Sequence, residues 1–273
     1  MREALEMKLK AAVRYYLKDF KRPVIIFYGV LMALFLIQLL IAALLHSNSS
    51  SSSGVETAST IFLFVVGLNA FKAQFRLFLQ NGLSRKTLFT GFVTGLFILA
   101  AAMTLLDLVF GWFRGLFVPY TSAYMDRFGS LYKDGSSFAA LADGLLWSFL
   151  SYVTAGMTGF LVTSLYYRMN KALKLIVSIG VPALVFIVIP LIDGLYTKGA
   201  ITAFFVNVIA YAYGYGISVS FSRGIAGLIT QFATAMDNGI PLFPYRAILF
   251  SVLCTAVTGT ISFLLIRRAT VKE

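Results

Sequence analysis

Two sets of residues in this sequence could do chemistry. The first is a group of carboxylates within or beside apolar runs: Asp107, Asp143 and Asp193. An ionisable side chain inside a membrane span is costly, and where one persists it tends to serve an ion, proton or substrate path. The plainer reading is that all three stand at a membrane interface and are solvated. That reading is preferred for Asp143 and Asp193, while Asp107, the deepest, is open between the two. No ladder of carboxylates runs along the apolar segments, which argues against a proton-driven pump. The second set is Arg85 and Lys86, adjacent cations that follow Gly82 and Ser84. Ser84 is a natural N-cap, so both cations fall in the first turn of a helix, where the macrodipole disfavours positive charge. Helix stability is therefore not their reason. Membrane topology is one explanation, and a cytoplasmic partner with an acidic or cleft-like surface is the other.

Other chemistry is excluded or weak. The chain carries one cysteine, Cys254, and one histidine, His46. Neither an internal disulfide nor a Cys/His metal cluster can form from them. No GxxxxGK[ST] loop is present to cradle a nucleotide phosphate, and HExxH, CxxC and GxSxG are absent too. The chain has no recognisable means of hydrolysing ATP and is not read as an enzyme. Gly216-Ile217-Ser218 is weakly similar to the serine segment of an intramembrane protease. Such a nucleophile needs a base beside it, and His46 falls at the outer end of the first span. Asn48-Ser49-Ser50 fits a glycosylation sequon, a match too short to weigh.

The elements that position these residues are membrane spans. Of 273 residues, 59% are hydrophobic and 12% charged, with a mean hydropathy of +0.85. Apolar runs of membrane-spanning length recur along the chain. They are continuous rather than alternating, which selects helices over a barrel. Residues 1–22 read as an amphipathic helix. Leu5, Leu9, Ala12, Val13, Tyr16 and Phe20 share one stripe, and Lys10, Arg14, Lys18 and Lys21 stand opposite. It is expected to lie in the headgroup layer rather than pack on a neighbour, and to stop at Pro23. No cleavable signal peptide is expected there.

Spans are expected at about 23–45, 57–80, 87–110, 141–167, 175–196 and 245–266. The second is read as one helix that leaves the membrane and projects to about Gln80, with Gly82 as its left-handed stop. Gly91 and Gly95 are spaced for close helix packing. Residues 111–140 form an aromatic-rich external segment, and Pro182 and Pro190 favour kinks in the fifth span. Residues 197–244, which include Arg223 and Asp237, are read as external or re-entrant. Trp112, Trp147, Tyr166 and Tyr167 read as an aromatic belt.

Charge orients this arrangement. Residues 1–22, 72–86, 167–174 and 267–273 hold 17 basic and 4 acidic residues, and the remainder holds 6 basic and 7 acidic. The positive-inside rule then puts those segments, and both termini, in the cytoplasm. It also accounts for the net charge of +12, so nucleic-acid binding is not needed to explain it.

QNGLSRKT at 80–87 resembles the cytoplasmic turn between the second and third spans of ABC-2-type transporter permeases. IRRATVKE at the C-terminus resembles the ending of bacterial members. The basic N-terminal helix, the six-span count and the external segment before the last span fit as well, so the resemblance covers essentially the whole chain. Within the group it looks most like permeases of the phenol-soluble-modulin and bacitracin-type peptide exporters. The resemblance implies an all-α integral membrane protein of the ABC-2 (type V-like) exporter fold in a bacterial plasma membrane. A separate ABC ATPase subunit would carry ATP and Mg, with no cofactor in this chain, and a second permease subunit, identical or related, would complete the pathway. It implies that Gln80, Asn81, Gly82, Leu83, Ser84, Arg85 and Lys86 form the coupling helix. Residues 1–22 would be a connecting helix, and Arg168, Asn170 and Lys171 a second cytoplasmic contact. Kinks at Pro182 and Pro190 could gate an opening. The cargo is expected to be amphipathic or hydrophobic, with a peptide as one form. Arg85→Glu is expected to uncouple ATP hydrolysis from transport. An ATP-independent channel or secondary carrier and a membrane enzyme are the alternatives.

Overall fold

In the computed structural model, residues 2–45, 55–132, 138–197, 200–213 and 244–267 are described. His46, the 48–50 sequon, Gly216 to Ser218, Arg223, Asp237 and the chain beyond Arg267 lie outside them. All regular structure among the described residues is helical. The helices are α1 (Arg2–Leu45), α2 (Val55–Asn69), α3 (Lys72–Gln80), α4 (Arg85–Gly115), α5 (Ala123–Phe128) and α6 (Phe138–Arg168). A helical run over 171–196, α7, follows, then α8 (Ala200–Ala212) and α9 (Pro244–Arg267). Four of them are long and apolar enough to cross a membrane: α1 over Glu6–Ile41, α4, α6 and α9. A fifth crossing results if Val55–Asn69 and Gln74–Gln80, bent by 41°, are one span.

Small residues bring the helix backbones together. A Cβ on Gly67 of α2 would stand 2.1 Å from the Gly156 carbonyl oxygen of α6, and one on Gly159 would stand 2.1 Å from that of Phe64. No side chain fits between α2 and α6 there. Without a hydrophobic drive between helices in lipid, such close packing is a main source of association. Thr163 fastens the same pair by donating to the Leu68 carbonyl at 2.5 Å. Thr154 joins α6 to α9, donating to Ser251 O at 3.1 Å with Thr255 Oγ1 at 2.8 Å. Gly91 and Gly95 let α1 approach α4, where added Cβ atoms would meet the Cβ atoms of Ala12 and Tyr16 at 2.9 and 3.2 Å.

These contacts fix the direction of each helix. Tyr16 of α1 lies against Phe78 and Phe92, near the start of α4, and Phe35 lies against Phe110, near its end. Arg267, the last residue of α9, meets Arg85. The N-terminal end of α1 and the C-terminal end of α9 therefore share one end of the bundle with the α3–α4 turn.

The expected stop at Pro23 is not made: α1 runs through it without a break. Proline removes the bond to the carbonyl four residues back, but Ala12, Tyr16 and Phe20 before it are buried in the same core as the α4 residues Phe92 and Leu96. Packing on both sides of Pro23 outweighs the lost bond. Of the apolar stripe, Ala12, Tyr16 and Phe20 are accordingly buried in protein and Leu9 and Val13 are half-buried, while Lys10, Arg14, Lys18 and Lys21 are exposed. The second expected span is also not one helix, since it breaks at Ala70 and Phe71. The break lets Phe71 and Phe75 stack at 4.9 Å and set their edges against Tyr167 at 5.3 and 5.5 Å. α3 thereby packs against α1, α4 and α6.

α7 contains two π-helical turns, Ile176–Gly180 and Leu184–Val188, each followed two residues later by Pro182 or Pro190. Val181 N–H bonds Ile176 O, and Ile189 N–H bonds Leu184 O, both five residues back. A π adjustment is one way a proline-interrupted helix re-satisfies its carbonyls in lipid. Pro182 and Pro190 thus mark a twice-repeated irregularity eight residues apart. Most of the apolar side chains of α7 are exposed, Ile176, Ile179, Leu184 and Ile187 among them.

Candidate functional sites at the two ends of the bundle

The elbow between α3 and α4 is built as its sequence suggests. Gly82 takes φ +68°, which favours glycine. Leu83 N–H bonds Phe78 O at 2.9 Å and Gly82 N–H bonds Leu79 O at 3.1 Å. This pair of bonds is the Schellman stop. Ser84 is extended, and its Oγ accepts from Thr87 N at 3.1 Å. Behind the elbow, Phe71, Phe75 and Phe78 are buried with Tyr16, Phe92 and Phe160. Phe92 and Phe160 stack at 4.1 Å and 13°, and each such pair contributes about 0.5–1.5 kcal/mol beyond area burial. α3 is thus anchored to three long helices while its turn faces outward.

Within the elbow the side chains divide. Gln80, Asn81 and Lys86 are exposed. Asn81 donates to Leu77 O at 2.7 Å. Arg85 has an internal task, donating to the Arg267 carbonyl at 2.7 Å and so capping α9. Lys86 makes no hydrogen bond or ion pair with the described residues. Charge reversal at Arg85 would therefore disturb the fold as well as any docking, and Lys86 is the cleaner probe. Arg168, Asn170 and Lys171 lie in the α6–α7 turn at the same end, since the neighbouring Tyr167 packs on Phe71 and Phe75.

The opposite end is polar inside. Asp107 is only 4% exposed, so the solvated interface reading is rejected for it. Its Oδ1 accepts from Tyr28 of α1 at 2.7 Å, and its Oδ2 accepts from Tyr152 of α6. One carboxylate thereby pins three helices. Ser59 of α2 is fully buried nearby. Glu56, in the first turn of α2, is 8% exposed, and its Oε1 accepts from Tyr120 at 3.0 Å. Burial, then the adjacent Glu56 carboxylate, pushes the Tyr120 phenol up, which keeps it a donor. Arg114 is buried with its guanidinium 5.2 Å from the Phe35 ring and 5.4 Å from that of Tyr120, and it donates to Gln38 at 3.3 Å.

No family model, curated protein or solved structure matches this chain. The candidate sites therefore stand on their own geometry.

Glu56, Asp107 and Tyr120 border a cavity of about 680 Å³, whose other walls include Leu108, Trp112 and Leu141. Trp112 is exposed, as expected of a belt residue, but Trp147 is buried with Tyr124, Phe128, Ala247 and Ile248 and belongs to a core. The solvated reading also fails for Asp193, which is buried and accepts from Ile201 N at 3.0 Å and from Thr197 Oγ1, joining α7 to α8. Asp143 is half-buried and accepts from Tyr132 at 2.7 Å.

Sequence reasoning identified Asp107 but missed Glu56, Tyr28, Tyr120 and Tyr152. Tyr28 and Tyr152 fall inside expected spans, and Glu56 falls between the first two of them. The available signal was a phenol in two other spans, which could pair with a buried carboxylate. Among the described residues, no group of three or more His, Cys, Asp or Glu could hold a metal ion.

Proposed function

We propose that this chain is the membrane subunit of an ATP-driven exporter of the ABC-2 type, working with a separate ATPase and a second permease subunit in a bacterial plasma membrane. The elbow carries this reading. A Schellman stop and a serine cap present Gln80, Asn81 and Lys86 on a turn whose base is locked into the aromatic core. A push on that turn reaches α1, α4 and α6 together. The 168–171 turn, the start of α1 and the end of α9 lie at the same end, as a common cytoplasmic face requires. In this reading α7 supplies one further crossing, which gives the six-span arrangement. In this reading ATP and Mg belong to the ATPase subunit, and the cargo is an amphipathic or hydrophobic molecule such as a peptide.

The test is co-purification of the tagged chain in mild detergent. A soluble nucleotide-binding subunit is expected with the native chain and is lost with Lys86→Glu, while the thermal stability of the chain is unchanged. Lone chains that move cargo across vesicles without nucleotide would overturn the proposal. A second reading, an ATP-independent carrier, is favoured by one observation, the buried carboxylates Asp107 and Glu56. Nucleotide dependence separates the two.

A further inference from the structure

The geometry points to the cavity at the end remote from the elbow as a binding site for a cationic amphiphile: a primary ammonium on an apolar chain, with Glu56 as its charge partner. Three observations carry it. First, Glu56 is more than nine-tenths buried, and one of its two carboxylate oxygens, Oε2, has no hydrogen-bond partner among the described residues. A buried carboxylate oxygen left without a donor is costly, and a ligand that supplies N–H groups and positive charge removes that cost. Glu56 at the start of α2 also gains from the helix dipole, but that gain does not require the residue to line a cavity. Second, the surrounding charges do not cancel. Glu56 and Asp107 bring two carboxylates, and Arg114 brings one buried cation. The Asp107 oxygens are both engaged by tyrosine hydroxyls, which leaves Glu56, a lining residue of the cavity, with the carboxylate oxygen that lacks a donor among the described residues.

Third, the walls suit an apolar tail. Leu108, Trp112, Leu116, Leu141 and Leu145 line the cavity, and its volume of about 680 Å³ is in the range of small-molecule sites. Tyr120 and Tyr124 also border the cavity. A neutral amphiphile such as an alcohol can donate a hydrogen bond to Glu56 but brings no charge to pair with it, and an anionic one is repelled by it.

The ammonium can come from an exported molecule or from an amine lipid headgroup. That the ligand is also the cargo rests on the permease reading, but binding does not, and it is measured without an ATPase. The full chain in dodecyl maltoside is titrated with brominated dodecylammonium, and quenching of tryptophan fluorescence is followed, Trp112 lying in the cavity wall. Saturable quenching is expected in the native protein. Glu56→Gln, which keeps an acceptor for Tyr120, weakens it about tenfold, the effect of losing roughly 1.4 kcal/mol of charge pairing. Brominated dodecanol, tested on the native chain, quenches without saturating. Phosphatidylethanolamine that displaces the probe identifies the headgroup as the source, and failure to displace it identifies a free amphiphile. Equal binding by Glu56→Gln, or equal saturable binding of the alcohol by the native chain, overturns the inference.

Discussion

The two ends of the helical bundle are built on different principles. At the elbow end, rings of Phe71, Phe75, Phe78, Phe92 and Phe160 pack with Tyr16 and Tyr167, and α1 meets α4 through glycine. At the remote end the helices separate around a cavity, and Tyr28, Asp107, Tyr152, Glu56 and Tyr120 hold them by side-chain hydrogen bonds. Dry packing transmits a displacement because it cannot be compressed. Hydrogen bonds across a hollow can be exchanged for bonds to a ligand at little net cost. In the function proposed above, this contrast would put force at one end and recognition at the other.

Substitutions can break this contrast, beginning with the largest effect. Gly159→Leu forces a side chain against the Phe64 carbonyl, with no room to relax. It should lower stability by about 3 kcal/mol or more, read as lost folded protein or a reduced melting temperature. Gly115→Ala, where a new Cβ meets nothing within 4 Å, should stay within about 0.5 kcal/mol. Asp107→Ala comes next. It leaves the Tyr152 hydroxyl without its acceptor and Tyr28 with only the longer bond to the Met103 carbonyl, and should cost about 1–3 kcal/mol. Adding Tyr152→Phe to it should cost less than Tyr152→Phe alone, the sign of a shared bond. Equal costs would mean that the remote end is not held by that network.

Arg85→Ala should have a smaller effect, because its bond to the Arg267 carbonyl is exposed. About 0.5–1 kcal/mol is expected from thermal unfolding. Lys86→Glu should change stability least, within about 0.5 kcal/mol, while abolishing ATPase association. A large stability loss at Lys86 would make the elbow structural rather than a docking surface.

Much of the elbow was legible in the sequence, and little of the cavity was. Gly82 and Ser84 act through the local backbone, so their roles follow from residue type and neighbours. The limits of α4, α6 and α9 fall close to the apolar runs at 87–110, 141–167 and 245–266, because charged or polar residues bound each run. Pro23 misled because helix propensity was set against tertiary packing by Tyr16 and Phe20, which periodicity placed on a stripe without naming what covers it. The break at Ala70 carried no glycine or proline signal, and it exists so that Phe71 and Phe75 can reach Tyr167. The Asp107 network was hidden for the same reason. Its partners lie 79 and 45 residues away in sequence, and only the three-dimensional crossing of α1, α4 and α6 brings them together.

Which side of the membrane the elbow faces is open to direct measurement. With Cys254 replaced by serine, single cysteines at Lys86 and at Gly115 are exposed to a membrane-impermeant maleimide on intact cells. Labelling is expected at Gly115→Cys without permeabilisation, and at Lys86→Cys only after it. Labelling of Lys86→Cys from outside would put the elbow beyond the reach of any cytoplasmic ATPase and contradict the assignment of force to that end.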